Sequence, residues 1–442
     1  MAVRAPNTAL AALLAESGWS QDRLARAVNR VGAENGTPLR YGRASVNHWL
    51  GGTVPQRERV RHFIAEALSR RLRRPVTVAE VGFPSETSPS STDFRHIVEG
   101  LIELSDPSRR GVLGAGLFSA ALTIPGWEDL TERMQAVKAD PHLRVGPEEV
   151  AAVSAMTEHL SGLDGKFGGR YARPMAAAFL SHTVAPYLKA DASAETRKSM
   201  LSAAAMLCYL TGWMAVDEGN HGLAQQYYVK GLELAAAGAD KPTYCHILRG
   251  MSVQAAHLGH GVPAVRLANS AAEVSTESSP RMRAFLAGQQ AHAYALAGER
   301  ANALRSIRET ERAVDQAESQ IGTFGGFTSA TLAFMLSEVR HAFGDAKGSV
   351  ESLQDHFRLR DASDSRRSGI KFTFLLAERQ LGMGHLEAAC DTWGKALDAY
   401  PHVHSGYVDQ QVRKVGSLLT PYRANAYARL VHERVKAGIR AA

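Results

Sequence analysis

In Leu210-Thr-Gly-Trp-Met-Ala-Val-Asp-Glu-Gly219, apolar residues at helical spacing run up to a glycine, and a second apolar-periodic run follows through Ala224, Tyr228 and Leu232. The same design returns along the chain. Gly219, Gly259, Gly298, Gly344 and Gly384 lie 40, 39, 46 and 40 residues apart, each between two helical patterns. Five residues after each stands a small residue, namely Ala224, Ala264, Ala303, Ser349 and Ala389; four further on come Tyr228, Ala268, Ile307, Leu353 and Trp393. These offsets have a physical cause. A glycine in the left-handed conformation ends the first helix, the small residue lets the second helix approach closely, and the bulky residue fills the gap toward the next pair. Few alternating β-branched runs interrupt the Ala-, Leu-, Glu- and Arg-rich patterns after residue 150, so the expected fold class is all-α, a solenoid of helix pairs.

The pattern resembles the tetratricopeptide repeat, with longer loops stretching its usual period of about 34 residues toward 40. The last unit ends on Ala396 and Pro401, as that repeat prefers. The resemblance implies a concave wall built from fixed positions of the first helix of each pair. These fall on Tyr209, Trp213, Asp217, Arg249, His257, His292, Glu338, His341, Lys371, Phe374 and Glu378. A lining of mixed charge and partly aromatic character suits a peptide, a small molecule or the tail of a partner protein. Trp213 and Phe374 fit packing between units equally well. Val412, Val415, Leu418, Leu419 and Tyr422 repeat at helical spacing and would cap the solenoid or pair with a second copy in a homodimer.

The charge is unevenly placed. Of 51 basic and 44 acidic residues, the first 82 positions hold thirteen arginines, no lysine and six carboxylates, so the chain's entire surplus of +7 lies there. A small basic module on a neutral body is the layout of a protein that meets a polyanion at one end. This module divides into four helical patterns. Leu10, Leu13 and Leu14 stripe the first; Gly18 and Trp19 form a tight link; Ser20 can cap the second, which carries Leu24, Val28 and Val31 on one face. A polar loop follows from Gly32 to Gly42. The third pattern, Arg43 to Leu50, turns Val46, Trp49 and Leu50 inward and Ser45, Asn47 and His48 outward, and ends at Gly51-Gly52. The fourth, Arg57 to Leu72, buries Val60, Ile64, Ala67 and Leu68.

The order Gly-Trp-Ser-Gln-x-x-Leu-Ala, then a short helix with Val46 and Trp49, then glycines and Pro55, resembles the helix-turn-helix of the lambda-repressor-like (XRE) class. The loop between its second and third helices is longer here than in that class. The resemblance implies that the third helix enters the major groove of double-stranded DNA, with Ser45, Asn47 and His48 reading bases and Gln21, Arg40, Arg43 and Arg57 holding phosphates. The phrase Leu-Ala-Arg-Ala-Val-Asn-Arg-Val-Gly-Ala-Glu-Asn-Gly-Thr-Pro-Leu-Arg-Tyr, followed by Ser45-Val-Asn-His-Trp-Leu50, resembles Streptomyces regulators that join such a head to a tetratricopeptide body and repress sporulation and antibiotic production. That likeness implies a cytoplasmic, nucleoid-associated regulator. A rival reading is a scaffold protein whose repeats hold another regulator and whose basic head only docks.

Pro84-Ser-Glu-Thr-Ser-Pro-Ser-Ser-Thr92 has almost no apolar residues and reads as a linker, which divides the chain into a head at 1–82, a linker at 83–93, a helical connector at 94–148 and the repeat body with its capping helices at 149–442. Gly111 to Pro125 is apolar but shorter than the roughly 20 residues a membrane span needs, and reads as a buried helix despite the preceding Arg109-Arg110. Glu16 and Asp22 interrupt the N-terminal stretch before any leader-like apolar core. Cys208, Cys245 and Cys390 are widely spaced, so neither disulfides nor a cysteine metal site is indicated. The sequence has no Gly-x-x-x-x-Gly-Lys-Ser/Thr loop, no His-Glu-x-x-His and no Gly-x-Ser-x-Gly. The pairs His257/His260 and His402/His404 lack a carboxylate or cysteine at ligand spacing. The expectation is a binding protein with no catalytic residues, metal or cofactor.

Overall fold

The five repeat glycines share one backbone geometry in the computed structural model, with φ of +79° at Gly219, +78° at Gly259, +81° at Gly298, +82° at Gly344 and +83° at Gly384. A Cβ at any of them would meet nothing within 4 Å. The glycine is therefore required by the left-handed conformation and not by space. Each links a helix pair: Ala194–Asp217 with His221–Ala237, Lys241–His257 with Gly261–Val274, Pro280–Leu296 with Arg300–Gln316, Ser329–Ala342 with Ala346–Leu359, and Arg366–Gly382 with Leu386–Ala399. Ala224, Ala264, Ala303, Ser349 and Ala389 are all completely buried where the paired helices cross, and Tyr228, Leu353 and Trp393 fill the spaces beyond. Ala268 suffices in the second unit because Ala255, Ala256, Ala264 and Ala293 close around it. The protein is an all-α helical solenoid with a small helical head.

The structure describes residues 5–34, 37–72, 74, 76–84, 94–105, 119, 140–275, 279–316, 327–361 and 364–441. Among these the strands are one short parallel pair, Asp140–Arg144 with Ala190–Asp191. Helix Ala194–Asp217 is long and apolar enough to cross a membrane by length and composition alone; two thirds of its apolar window is buried, which is the signature of a core helix. Gly111 to Pro125 lies outside the described residues except for Ser119, whose N–H and C=O both bond the Gln225 side chain, at 2.7 and 2.8 Å. The start of the expected connector belongs to the body. Helix Phe94–Ser105 sets Val98 and Leu101 into the main core, and Tyr227 donates to the Leu104 carbonyl.

The head comprises α1 (Thr8–Ser17), α2 (Gln21–Glu34), α3 (Arg43–Leu50) and α4 (Glu58–Leu72). Leu10, Leu24, Val28, Val31, Val46, Trp49, Val60, Ile64, Ala67 and Leu68 make its core, as their spacing predicts. Val76, Val78, Val81 and Phe83 complete it, so the head runs past residue 82 and Phe83 is core and not linker. Asn7 ties this return segment to α1, its side-chain Oδ1 accepting from the Leu10 N–H and its side-chain Nδ2 donating to the Val81 carbonyl.

At the other end the solenoid closes on its own beginning. A sixth pair, Gly406–Leu418 and Ala426–Ala441, buries Val412, Val415 and Leu419 against Trp393 and Leu397, while Tyr422 stays exposed. These late elements return to helices Pro147–Phe167 and Gly169–Phe179. The His404 N–H donates to the Phe167 carbonyl at 2.6 Å, the Ser405 hydroxyl donates to Asp217 at 2.7 Å, and Ser365 donates to the Gly165 carbonyl at 3.1 Å. Backbones meet without side chains between them: a Cβ on Gly169 would stand 2.5 Å from the Met214 carbonyl oxygen, and one on Gly406 2.6 Å from that of Glu218. Closure turns an open concave wall into the wall of a cavity.

Candidate functional site

Two features converge chemistry: the outer face of α3 in the head and the cavity inside the closed solenoid. On α3, Val46 and Trp49 anchor the helix, and Arg43, Ala44, Asn47 and His48 face solvent. Ser45, expected to point outward with them, is half-buried on the flank. Ala44, at helical spacing from Asn47 and His48, takes the place on the exposed face that the sequence reading gave to Ser45.

The long loop before α3 is held rigidly. α2 continues through Gly32 to Glu34, two residues beyond the expected start of the loop, and the loop folds back onto it. A Cβ on Gly32 would lie 2.6 Å from Leu39 Cδ1 and 2.7 Å from the Thr37 carbonyl, so only glycine admits this return. Asn29 then braces the far end. Its amide donates to the Tyr41 carbonyl and its oxygen accepts from the Tyr41 N–H, both at 2.9 Å, while the Tyr41 ring meets Trp49 edge-on at 5.1 Å. Asn29→Ala removes both bonds and is expected to destabilise the head by about 1–3 kcal/mol. Amide hydrogen exchange at Tyr41 and along α3 in the full chain checks this, since exchange should rise there and not in the repeats.

The charges of the head sort into two groups. Glu16 and Glu80 pair with Arg74, and Glu34 and Glu66 pair with Arg70. Four of its six carboxylates are thus committed to two arginines. Arg40 and Arg43 at the N-terminal end of α3, and Arg57 beyond its C-terminal end, are exposed. Gln21 is half-buried at the first turn of α2, which Ser20 caps through the Arg23 N–H. Glu34 also reaches the body, standing 3.6 Å from His260 at the start of helix Gly261–Val274. Burial raises the Glu34 carboxyl, but His260 and Arg70 outweigh it and hold the group below its ordinary value.

The cavity has a volume of about 330 Å³, and of the expected groove residues Tyr209, Trp213, Arg249, His257, His292 and Lys371 line it. Phe374 does not: it is buried against Ile370 and Trp393 in the C-terminal core. Phe372 lines the cavity instead, about 200° around the same helix from Phe374. Glu378 pairs with Lys414 away from the cavity, and His341 is exposed on the surface. Glu338 stands behind the wall, paired with Arg379 and 3.5 Å from His292. Asp217 is also behind it, accepting from the Gly169 N–H at 3.0 Å and pairing with Arg367 at 3.1 Å.

Sequence reasoning missed the second wall. Ser161, Asp164 and Gly165 come from helix Pro147–Phe167, which precedes the repeats, and Arg367 reaches across to Asp164 at 2.7 Å. Burial raises the Asp164 carboxyl, opposed by the Arg367 charge. Burial also lowers Arg367, but Asp164 and Asp217 outweigh it and keep the guanidinium charged. Lys371 donates to His257 Nε2 at 3.1 Å, and burial pushes its ammonium down to about 8 against the pull of Glu338.

Residues 10–84 are similar to the SP15 N-terminal domain family. The match spans the head alone. No curated protein matches the chain. The repeat body and its cavity are therefore read from their own residues.

Proposed function

We propose that the protein is a sequence-specific DNA-binding transcriptional regulator whose head reads the major groove and whose repeat body binds a signal. The observation that carries this reading is α3: a short helix pinned from behind by Val46 and Trp49, with Asn47, His48 and Ala44 exposed and arginines at both ends. An amide of this kind suits the donor and acceptor on an adenine edge, an exposed methyl suits thymine, and guanidinium groups suit phosphates. The expected lambda-repressor-like head and its likeness to Streptomyces repressors of sporulation and antibiotic production support a repressor acting in the cytoplasm, at the nucleoid. Dimerisation is supported by the last helix, where Tyr427 and Leu430 are 54% and 60% exposed one turn apart. The Glu34–His260 contact offers a route by which a change in the body would reach the end of α2.

The test separates base reading from phosphate holding. Asn47→Ala is expected to weaken preferred sites by about 1–3 kcal/mol with little change on random DNA, whereas Arg43→Ala should weaken all DNA alike and lower the salt slope by about one unit. Fluorescence anisotropy over a salt series measures both. Equal losses for Asn47→Ala on preferred and random DNA would count against base reading.

A further inference from the structure

Among the described residues four arginines are buried to a similar degree, and three of them hold carboxylates: Arg173 with Glu218, Arg367 with Asp164 and Asp217, and Arg379 with Glu338. Arg249 is the exception among the described residues. It is 8% exposed and lines the cavity with its guanidinium 3.7 Å from the centre of the Phe285 ring. Its guanidinium has the neutral Tyr209 hydroxyl as a hydrogen-bonding neighbour in place of a carboxylate, and its Nε has no hydrogen-bond partner. Holding a cation in an apolar enclosure without a counter-anion costs free energy, which a stacking contact offsets only in part. Lys371 adds a second cation to the same wall, its nitrogen shared with His257. The lining also holds acceptors without donors: Asp164 Oδ1 and Gln289 Oε1 belong to lining residues and have no hydrogen-bond partner. Between these polar groups the wall is aromatic, from Trp213, Phe285, Phe334 and Phe372.

We propose that this cavity binds a small organic anion, a carboxylate on an aromatic body, with Arg249 and Lys371 taking the carboxylate and the rings enclosing the body. A hydrogen-bond donor on that body would meet Asp164 and Gln289. The inference deepens the reading of the repeat body as the signal-binding part of a regulator. A volume of about 330 Å³ stands at the small end of the span for small-molecule clefts and cavities, roughly 300–1,000 Å³. Arginine is suited to the task because its planar fork matches a carboxylate.

The probes are indole-3-acetate and indole-3-acetamide, which differ in charge and scarcely in shape, titrated calorimetrically into the full chain near neutral pH. The acetate is expected to bind at least about tenfold more tightly than the amide. Arg249→Met should abolish that preference and leave the unliganded protein melting at the same or a higher temperature, because a lone buried cation has been removed. Lys371→Met should reduce the preference several-fold. Equal affinities, no binding of either compound, or a preference that survives Arg249→Met overturns the proposal. Selective DNA binding by the same samples separates the two readings: with no carboxylate preference, the ligand assignment falls and the regulator stands; with a preference but no selective DNA binding, the reverse holds.

Discussion

Arg367→Met is expected to destabilise the protein by about 3–5 kcal/mol, the cost of breaking a buried ion pair from one side. Arg367 lies between Asp164 at 2.7 Å and Asp217 at 3.1 Å, joining helix Arg366–Gly382 to helices about 150 and 200 residues earlier in the chain. Without it the two carboxylates do not fare alike. Asp217 keeps the Gly169 N–H and the Ser405 hydroxyl as donors, whereas Asp164 loses the Arg367 guanidinium that bonds its Oδ2, and its Oδ1 already has no partner. Asp164 is therefore the group left stranded. Adding Asp164→Leu to Arg367→Met should recover at least half of the loss, since an apolar pair of similar volume needs no compensation. Urea unfolding followed by far-UV circular dichroism gives both values. Recovery by Asp217→Leu instead would place the strain on the wrong carboxylate.

Stability should also fall on acidification from neutral pH, by on the order of 3 kcal/mol at pH 4 from His246 alone. Its ring is buried, stacked on Phe285 at 5.0 Å and met edge-on by Tyr209 at 4.4 Å. Burial, with the Arg249 charge acting in the same direction, pushes the imidazole down to about 3. The unfolded chain takes up a proton near 6.5 and the folded chain does not, so the contribution is complete above 6.5 and is lost as pH falls toward 3. His221, pushed down to about 4 by burial, acts in the same sense. His246→Phe should reduce the slope of stability against pH between 6 and 4 by about one proton. An unchanged slope would show that His246 is not held neutral.

The repeats were legible because their requirements are local. A left-handed glycine, a small residue at the crossing and a bulky one beyond it can each be read at fixed offsets; all five units keep the first two in the fold, and four keep the third, with Ala268 standing in the second unit. The head was legible for the same reason: Val46 and Trp49 had to face inward at helical spacing, which places Asn47 and His48 outside. The loop was misjudged because Gly32 suits a turn as well as it suits a helix crowded by Leu39, and only the tertiary contact distinguishes them. The cavity was half legible. Helix-face positions located Tyr209, Trp213, Arg249, His292 and Lys371, but Asp164 and Arg367 meet across 203 residues, a pairing that no local pattern encodes. Of the two roles that fit Phe374 equally well, groove lining and packing between units, it takes the packing one, against Ile370 and Trp393.

Selection from a random DNA library by the full-length chain shows whether α3 reads sequence. The wild-type protein should enrich a motif, palindromic for a dimer, and Asn47→Ala/His48→Ala should lose that motif while keeping salt-sensitive binding to random DNA. Failure of the wild type to enrich any motif, or enrichment of the same motif by the double variant, would contradict base reading by α3.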